Sequence, residues 1–249
     1  MPMASPTTRS RWALASLAVL VVLPTRGVCF ARSARTPGER ARAPATQEQG
    51  SARILDVLAF IDKTSRKTRY LHRTRIDPRR GIYHFDCSTM AGWVMKKAAP
   101  RARKTVAGRG RRPLARDFYH AIARVRPGRS AGPWYRVPTV QEARPGDVVA
   151  WIRPPWFRSK YTGHVAFVVA KPTPNRGPVH GQLLRIADAT RLPHENDTRV
   201  WGSSSGFGRG TMLLATDSAG RPTGYGWHGS ISQPDWIIPT RIVIGRALR

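Results

Sequence analysis

The chain has 249 residues, 41% of them hydrophobic, and its 43 Lys and Arg against 14 Asp and Glu give a formal charge of +29. About 200 residues remain after an N-terminal leader and linker, enough for one domain with a real core and short of what two usually need. A basic surplus on this scale draws a protein to anionic polymers. No paired-histidine spacing such as a helical His-x-x-x-His is present to hold a catalytic metal, so neither metal nor cofactor is expected.

In chain order, Arg9 and Arg11 precede an apolar run from Trp12 to Leu23, which Pro24 closes. The run is too short for a bilayer, which takes about 20 residues, and with the small residues Cys29 and Ala31 around Phe30 it reads as a secretory signal peptide over residues 1–31. Arg26 stands where a lipoprotein signal would carry an aliphatic residue, which argues against a lipid anchor. The expectation is a secreted, periplasmic or cell-wall-associated protein with no stable membrane span after cleavage. Cleavage removes Cys29 and leaves Cys87 as the sole thiol, so no intramolecular disulfide can form. Residues 32–50, rich in Arg, Ala, Pro, Thr, Gln and Gly, read as a flexible linker to a domain over residues 51–249.

The spacing of Ile54, Val57, Leu58 and Ile61 predicts a helix from about Ser51 to Thr64. Residues 65–80 are basic and irregular, and Asp77-Pro78-Arg-Arg-Gly81 is a turn into the next segment. There Asp86 precedes Cys87, and Met90, Ala91, Val94, Met95 and Ala98 recur at helical spacing until Pro100. Arg101 to Pro113 reads as a solvated basic loop, without the interleaved aromatics that stack on nucleic-acid bases, so no specific nucleic acid is expected. A third helix runs from Leu114 to about Val125, ended by Arg126-Pro-Gly128. From Pro138 on the texture is strands: Val148 to Ile152, Val165 to Ala170, Leu183 to Ala189, Thr211 to Thr216, Thr223 to His228 and Arg241 to Ala247. Helices first and strands second is an α+β layout with an antiparallel sheet.

Cys87 falls in the first turn of its helix, where unpaired N–H groups and the helix dipole favour a thiolate. That makes it a candidate nucleophile; a buried structural thiol is the alternative. Among the histidines, His164 has the best context for a general base, directly after Gly163 at a strand start. It shares a strand face with Ala166 and Val168, small neighbours that would leave room for the cysteine helix. His84 is its rival by sequence and is expected to line the cleft. In Leu184-Arg-Ile-Ala-Asp188, the aspartate ends an apolar row and could orient the histidine, with His194, Asn196 and Asp197 as substitutes. Asp86 and Ser88 flank the thiol, and either could cap the helix.

Phe85-Asp-Cys-Ser88 opening a helix, Pro145-Gly-Asp-Val148 opening a strand and Gly163-His-Val165 opening the next together resemble the NlpC-type cell-wall peptidases, a compact papain-like superfamily. The likeness covers about residues 51–190. It implies a papain-like NlpC fold, with a cysteine-bearing helix packed on an antiparallel sheet that carries the histidine. It also implies hydrolysis of amide bonds in peptidoglycan stem peptides by Cys87, His164 and Asp188, with peptidoglycan or another anionic wall polymer as partner. The backbone N–H of Cys87 would be the oxyanion donor. Asp86 and Ser88 would bind the substrate's amino end, and Tyr70 is the candidate upstream aromatic. The sequence departs from the family pattern at Thr89, where a glycine is usual, and in Gly81-Ile-Tyr-His-Phe85 upstream. Two other readings stand beside it: the same thiol chemistry on a non-peptidoglycan amide or acyl substrate, and a non-catalytic basic protein that binds walls or polyanions.

Overall fold

The computed structural model describes residues 45–107 and 111–248. The leader over residues 1–31 and most of the linker lie outside the described residues. Helix α1 spans Ala45–Thr64, so it begins within the stretch read as linker. Ile54, Leu58 and Ile61 of α1 are fully buried, as their helical spacing predicts. No helix among the described residues is long and apolar enough to cross a membrane.

Three short strands follow, β1 (Lys67–Tyr70), β2 (Arg75–Asp77) and β3 (Ile82–Phe85). β3 lies between β1, parallel to it, and β2, antiparallel to it. This corrects the reading of residues 65–80 as irregular. The apolar signal sits in the central strand, where Tyr83 and Phe85 are buried, while the flanking strands are basic and half exposed. Charged edge strands of this kind carry little apolar alternation to read. β3 leads directly into α2 (Cys87–Ala98), whose Met90, Ala91, Val94 and Met95 are fully buried.

The basic stretch after α2 is not a loop throughout. α3 (Pro100–Val106) begins with Pro100 at its first position and buries Ala102 and Val106. Proline at a helix start gives up only an N–H that has no partner there, so the residue read as a stop also serves as a start. α4 (Ala115–Ala123) follows, where the Asp117 carboxylate accepts the N–H of Leu114 at 2.9 Å.

The remaining strands are β4 (Ser130–Ala131), β5 (Trp134–Val137), β6 (Val148–Ile152), β7 (Gly163–Val168), β8 (Thr173–Pro174), β9 (Gly181–Thr190), β10 (Gly206–Thr216), β11 (Pro222–Gly226), β12 (Ile238–Pro239) and β13 (Ile242–Ala247). They form one sheet in the order β12-β11-β10-β9-β7-β6-β13-β5-β4, with β8 on β9, and every pairing in it is antiparallel. The protein is therefore α+β, with its helices gathered on one face of a large antiparallel sheet.

Strand alternation divides the core. Val148, Ala150, Val165, Phe167, Ala187 and Val243 pack with the helices. Val149, Trp151, Ala166, Val168, Leu184 and Ile186 form the core of the opposite face. This corrects one expectation about orientation: the row that faces the cysteine helix is Val165 and Phe167, and His164 shares the far face with Ala166 and Val168.

Candidate active site

Cys87 is the first residue of α2, and its place is fixed by a capping box. Asp86 Oδ1 accepts the Thr89 N–H at 2.8 Å, and Thr89 Oγ1 accepts the Asp86 N–H at 3.0 Å. Two otherwise orphaned donors are satisfied reciprocally. Thr89, a departure from the family pattern, thus has a structural task. Ser88 Oγ also donates to Asp86 Oδ1, at 2.9 Å. The other oxygen, Oδ2, takes Arg112 and, at 3.1 Å, Nδ1 of His72. A carboxylate only accepts, so that histidine nitrogen carries a proton. Asp86 and Ser88 line the recess around the thiol, but the Asp86 carboxylate is filled by its own chain.

The recess holds Cys87, Tyr70, His72, Arg112, Lys160 and Tyr161 among its walls. His72 was missed in the sequence, and Arg112 lay in the stretch read as a solvated loop. Burial, then the charges of Arg112, Lys160 and Arg191, lower the His72 pKa from its ordinary value. Tyr70 is positioned because β1 docks on β10: Thr68 Oγ1 accepts the Phe207 N–H at 2.7 Å and Ser205 Oγ accepts the Tyr70 N–H at 3.3 Å. Burial and the nearby Cys87 and Tyr161 push the Tyr70 phenol up, so it remains an O–H donor.

The thiol reaches β7 through the backbone. The backbone N–H groups of Val165, the residue after His164, of Ser88 and of Cys87 itself act on the Cys87 thiol in the direction of a thiolate. Burial nonetheless pushes the thiol up to about 12, and the Asp188 charge adds to that rise. The helix start alone was expected to favour a thiolate; in the folded protein desolvation outweighs it, and the resting group is a neutral thiol.

His164 and Asp188 are brought together. His164 Nε2 lies 2.7 Å from Asp188 Oδ2, and the Asp188 side chain is wholly buried. The imidazole is held between Trp151, at 4.9 Å between ring centroids, and Trp227, at 5.4 Å. Gly163, which precedes it, has φ +137, and a Cβ there would collide with the Trp151 carbonyl. Only glycine starts the strand this way. With Nε2 committed to Asp188, Nδ1 is the ring nitrogen left open; His164 lines the adjoining groove and not the recess around Cys87, so the structure joins His164 to Asp188 and meets the thiol only through the strand that carries it.

Two of the three neighbours, His194 and Asp197, support Asp188. His194 Nε2 lies 3.0 Å from the same Oδ2, and its Nδ1 lies 3.0 Å from the Trp227 carbonyl. Both neighbours are acceptors, so His194 donates from both nitrogens. Arg199 donates to Asp188 Oδ1 at 2.8 Å and is itself held by both oxygens of Asp197. Asn196 is an exposed turn residue with φ 48. Burial alone would raise the Asp188 pKa, but the charges of His194 and Arg199 and the two imidazole hydrogen bonds hold it well below the usual carboxylate range. Alternating glycines on β10 make room for this cluster. A Cβ at Gly208 would meet Arg199, and one at Gly210 would meet Asp197 and His194. Glycines two apart in Gly206-Phe-Gly-Arg-Gly210 were the readable signal for it.

His84 does not join the site. It lies on β3 between buried Tyr83 and Phe85, and its basic neighbours are Lys67, Arg69 and Arg75. Among the described residues no cluster of His, Cys, Asp and Glu is arranged to hold a metal ion.

Beside the thiol recess, and sharing Tyr70, Tyr161 and Gly163 with it, runs a larger groove of about 540 Å³ that reaches His164. Comparisons of the chain with protein-family models, with curated proteins and with solved structures return no match.

Proposed function

We propose that the protein is a secreted, papain-like cysteine hydrolase of the NlpC type, cleaving amide bonds through Cys87, His164 and Asp188. The observation that carries this reading is the buried His164–Asp188 pair, 2.7 Å apart, on a sheet that packs against the helix whose first residue is Cys87.

Each residue has a task in the cycle. Because the resting thiol is neutral, His164 Nδ1 takes its proton as sulfur adds to the carbonyl carbon, and no preformed thiolate is needed. The oxygen that gains charge is held by the N–H of Cys87 at the helix start. The C–N bond then breaks, His164 returns the proton to the leaving amine, and a thioester remains on Cys87. Water, deprotonated by the same imidazole, attacks that thioester; the C–S bond breaks, the acid leaves and the thiol is restored. Asp188 holds Nε2–H and stabilises the imidazolium that forms.

Peptidoglycan stem peptides are the substrates that the motif order implies, and the basic surplus would keep the enzyme on anionic walls. Digestion of purified muropeptides tests this directly: new amine termini should appear with the wild type and not with Cys87→Ala. Retention on purified walls should fall between low salt and 1 M, where the Debye length is about 3 Å. The same chemistry on a non-peptidoglycan amide is the second reading, and the groove beside His164 is the feature that favours it.

A further inference from the structure

The groove beside His164 has a chemical character of its own. Trp151 and Trp227 flank the imidazole, and Tyr225 stacks on Trp151 at 4.8 Å between centroids. Phe157 and Tyr161 stand at its mouth, 44% and 40% exposed. Flat aromatic walls favour a planar guest over a flexible chain, because rings gain from offset and edge-to-face packing. Its volume, about 540 Å³, lies in the range of small-molecule sites.

Its charge is equally specific. No aspartate or glutamate lines the groove, whereas Arg153 and Arg191 do. Neither arginine forms an ion pair with a carboxylate among the described residues. A guanidinium without a carboxylate partner, beside aromatic walls, suits a carboxylate carried by an aromatic guest.

The direction of the reaction assigns the guest. His164 must hand its proton to the leaving amine, so the leaving half lies on the histidine side of the site and the acyl half in the recess around Cys87. We propose that the groove binds the leaving half of the substrate, and that this half is an aromatic amino acid with a free carboxylate, acylated on its amine. Hydrolysis then consumes one water, breaks the C–N bond and releases a carboxylic acid and the aromatic amino acid. This deepens the second reading above, the same thiol chemistry on a non-peptidoglycan amide, and rests on the hydrolase mechanism for the word "leaving"; the guest itself is testable without turnover.

The test is calorimetric titration of the Cys87→Ala protein, which cannot turn over, with N-acetyltryptophan, N-acetylalanine, N-acetyltryptophanamide and dodecanoate. N-acetyltryptophan should bind at least about tenfold more tightly than the other three, a difference of about 1.4 kcal/mol. Arg191→Ala in that background should remove most of the preference for the free carboxylate. Phe157→Ala should weaken binding by about 2- to 12-fold, the worth of one aromatic pair. Both positions are exposed, so these variants should keep the fold, and an unchanged urea midpoint checks it. Equal binding of the alanine and tryptophan compounds, equal binding of acid and amide, or tighter binding of dodecanoate would each overturn the proposal. Selective binding with no cleavage of N-acetyltryptophan by the wild type would sink the hydrolase reading and spare the guest. Cleavage without selectivity would do the reverse.

Discussion

Two aspartates are wholly buried, Asp147 just before strand β6 and Asp188 within strand β9, and they are used in opposite ways. Asp147 receives both Nε and Nη2 of Arg246, each at 2.8 Å, and the N–H of Arg144 at 2.8 Å. That closes a strut between the turn before β6 and strand β13, with no group left for chemistry. Asp188 instead receives one guanidinium and two imidazoles. One of those imidazoles, His164, lines a groove. Burial raises the Asp147 pKa against the pull of Arg246 and Arg144, while at Asp188 the charges of His194 and Arg199, with the two imidazole hydrogen bonds, overcome burial and lower it. Asp188 differs in taking hydrogen bonds from two imidazoles as well as a guanidinium, and a carboxyl kept firmly charged is the one that can steady an imidazolium in turnover.

The largest expected effect follows from that contrast. Asp188→Ala leaves His194 and Arg199 buried without their acceptor, so it should lose about 3–5 kcal/mol of stability. The fraction that still folds should lose about 10²- to 10⁴-fold in turnover. Asp147→Ala should cost a similar amount of stability, because Arg246 is stranded, yet leave the turnover of folded protein within about twofold. Urea midpoints and turnover of both variants, normalised to folded protein, break the comparison if Asp147→Ala also abolishes activity or if Asp188→Ala retains it.

A pH titration of stability sharpens it. Asp188 is lowered in the folded state, so its contribution is present above the ordinary carboxylate pKa of about 4 and is lost as pH falls toward the folded value. Asp147 is raised, so its linkage has the opposite sign: its contribution is full below about pH 4 and fades as pH rises through the folded value. Asp188→Asn should therefore flatten the acid side of the stability curve, and Asp147→Asn should steepen it. Equal slopes in both variants would contradict the assigned directions.

The helix start gives the smallest effect. Thr89→Ala removes half of the capping box and should cost about 1 kcal/mol, with Cys87 still in place. Thr89→Ser should restore most of it. A loss of activity much larger than this stability change would assign Thr89 a part in the chemistry that its hydrogen bonds do not give it.

The sequence made the cysteine helix and the positions of the six longer strands from Val148 on legible, because Met90, Val94 and Met95 keep a helical period and Val148 to Ile152 is a continuous apolar run between turn signals. Asp188 could be singled out because it ends an apolar strand row. What lay beyond reach was held by long-range pairing. The small sheet of β1, β2 and β3 has edge strands whose charges mask alternation. His72 and Arg112 meet at Asp86 only after folding brings residues 14 and 26 positions away to the helix start. The face of His164 was misjudged because alternation tells which residues share a side and not which side the helices cover. The state of the thiol was misjudged because burial, which sets it, is a property of the packed domain.

The central claim is that Cys87 attacks acyl carbon with His164 as its base. It is tested most directly by mixing the protein with p-nitrophenyl acetate near neutral pH and following both nitrophenol release and the acyl adduct by peptide mass spectrometry. A stoichiometric burst with the adduct on the Cys87 peptide is predicted, absent in Cys87→Ala and slowed about 10²- to 10⁴-fold in His164→Ala. No adduct on Cys87 in the native protein, or acylation of His164→Ala at the wild-type rate, would contradict it.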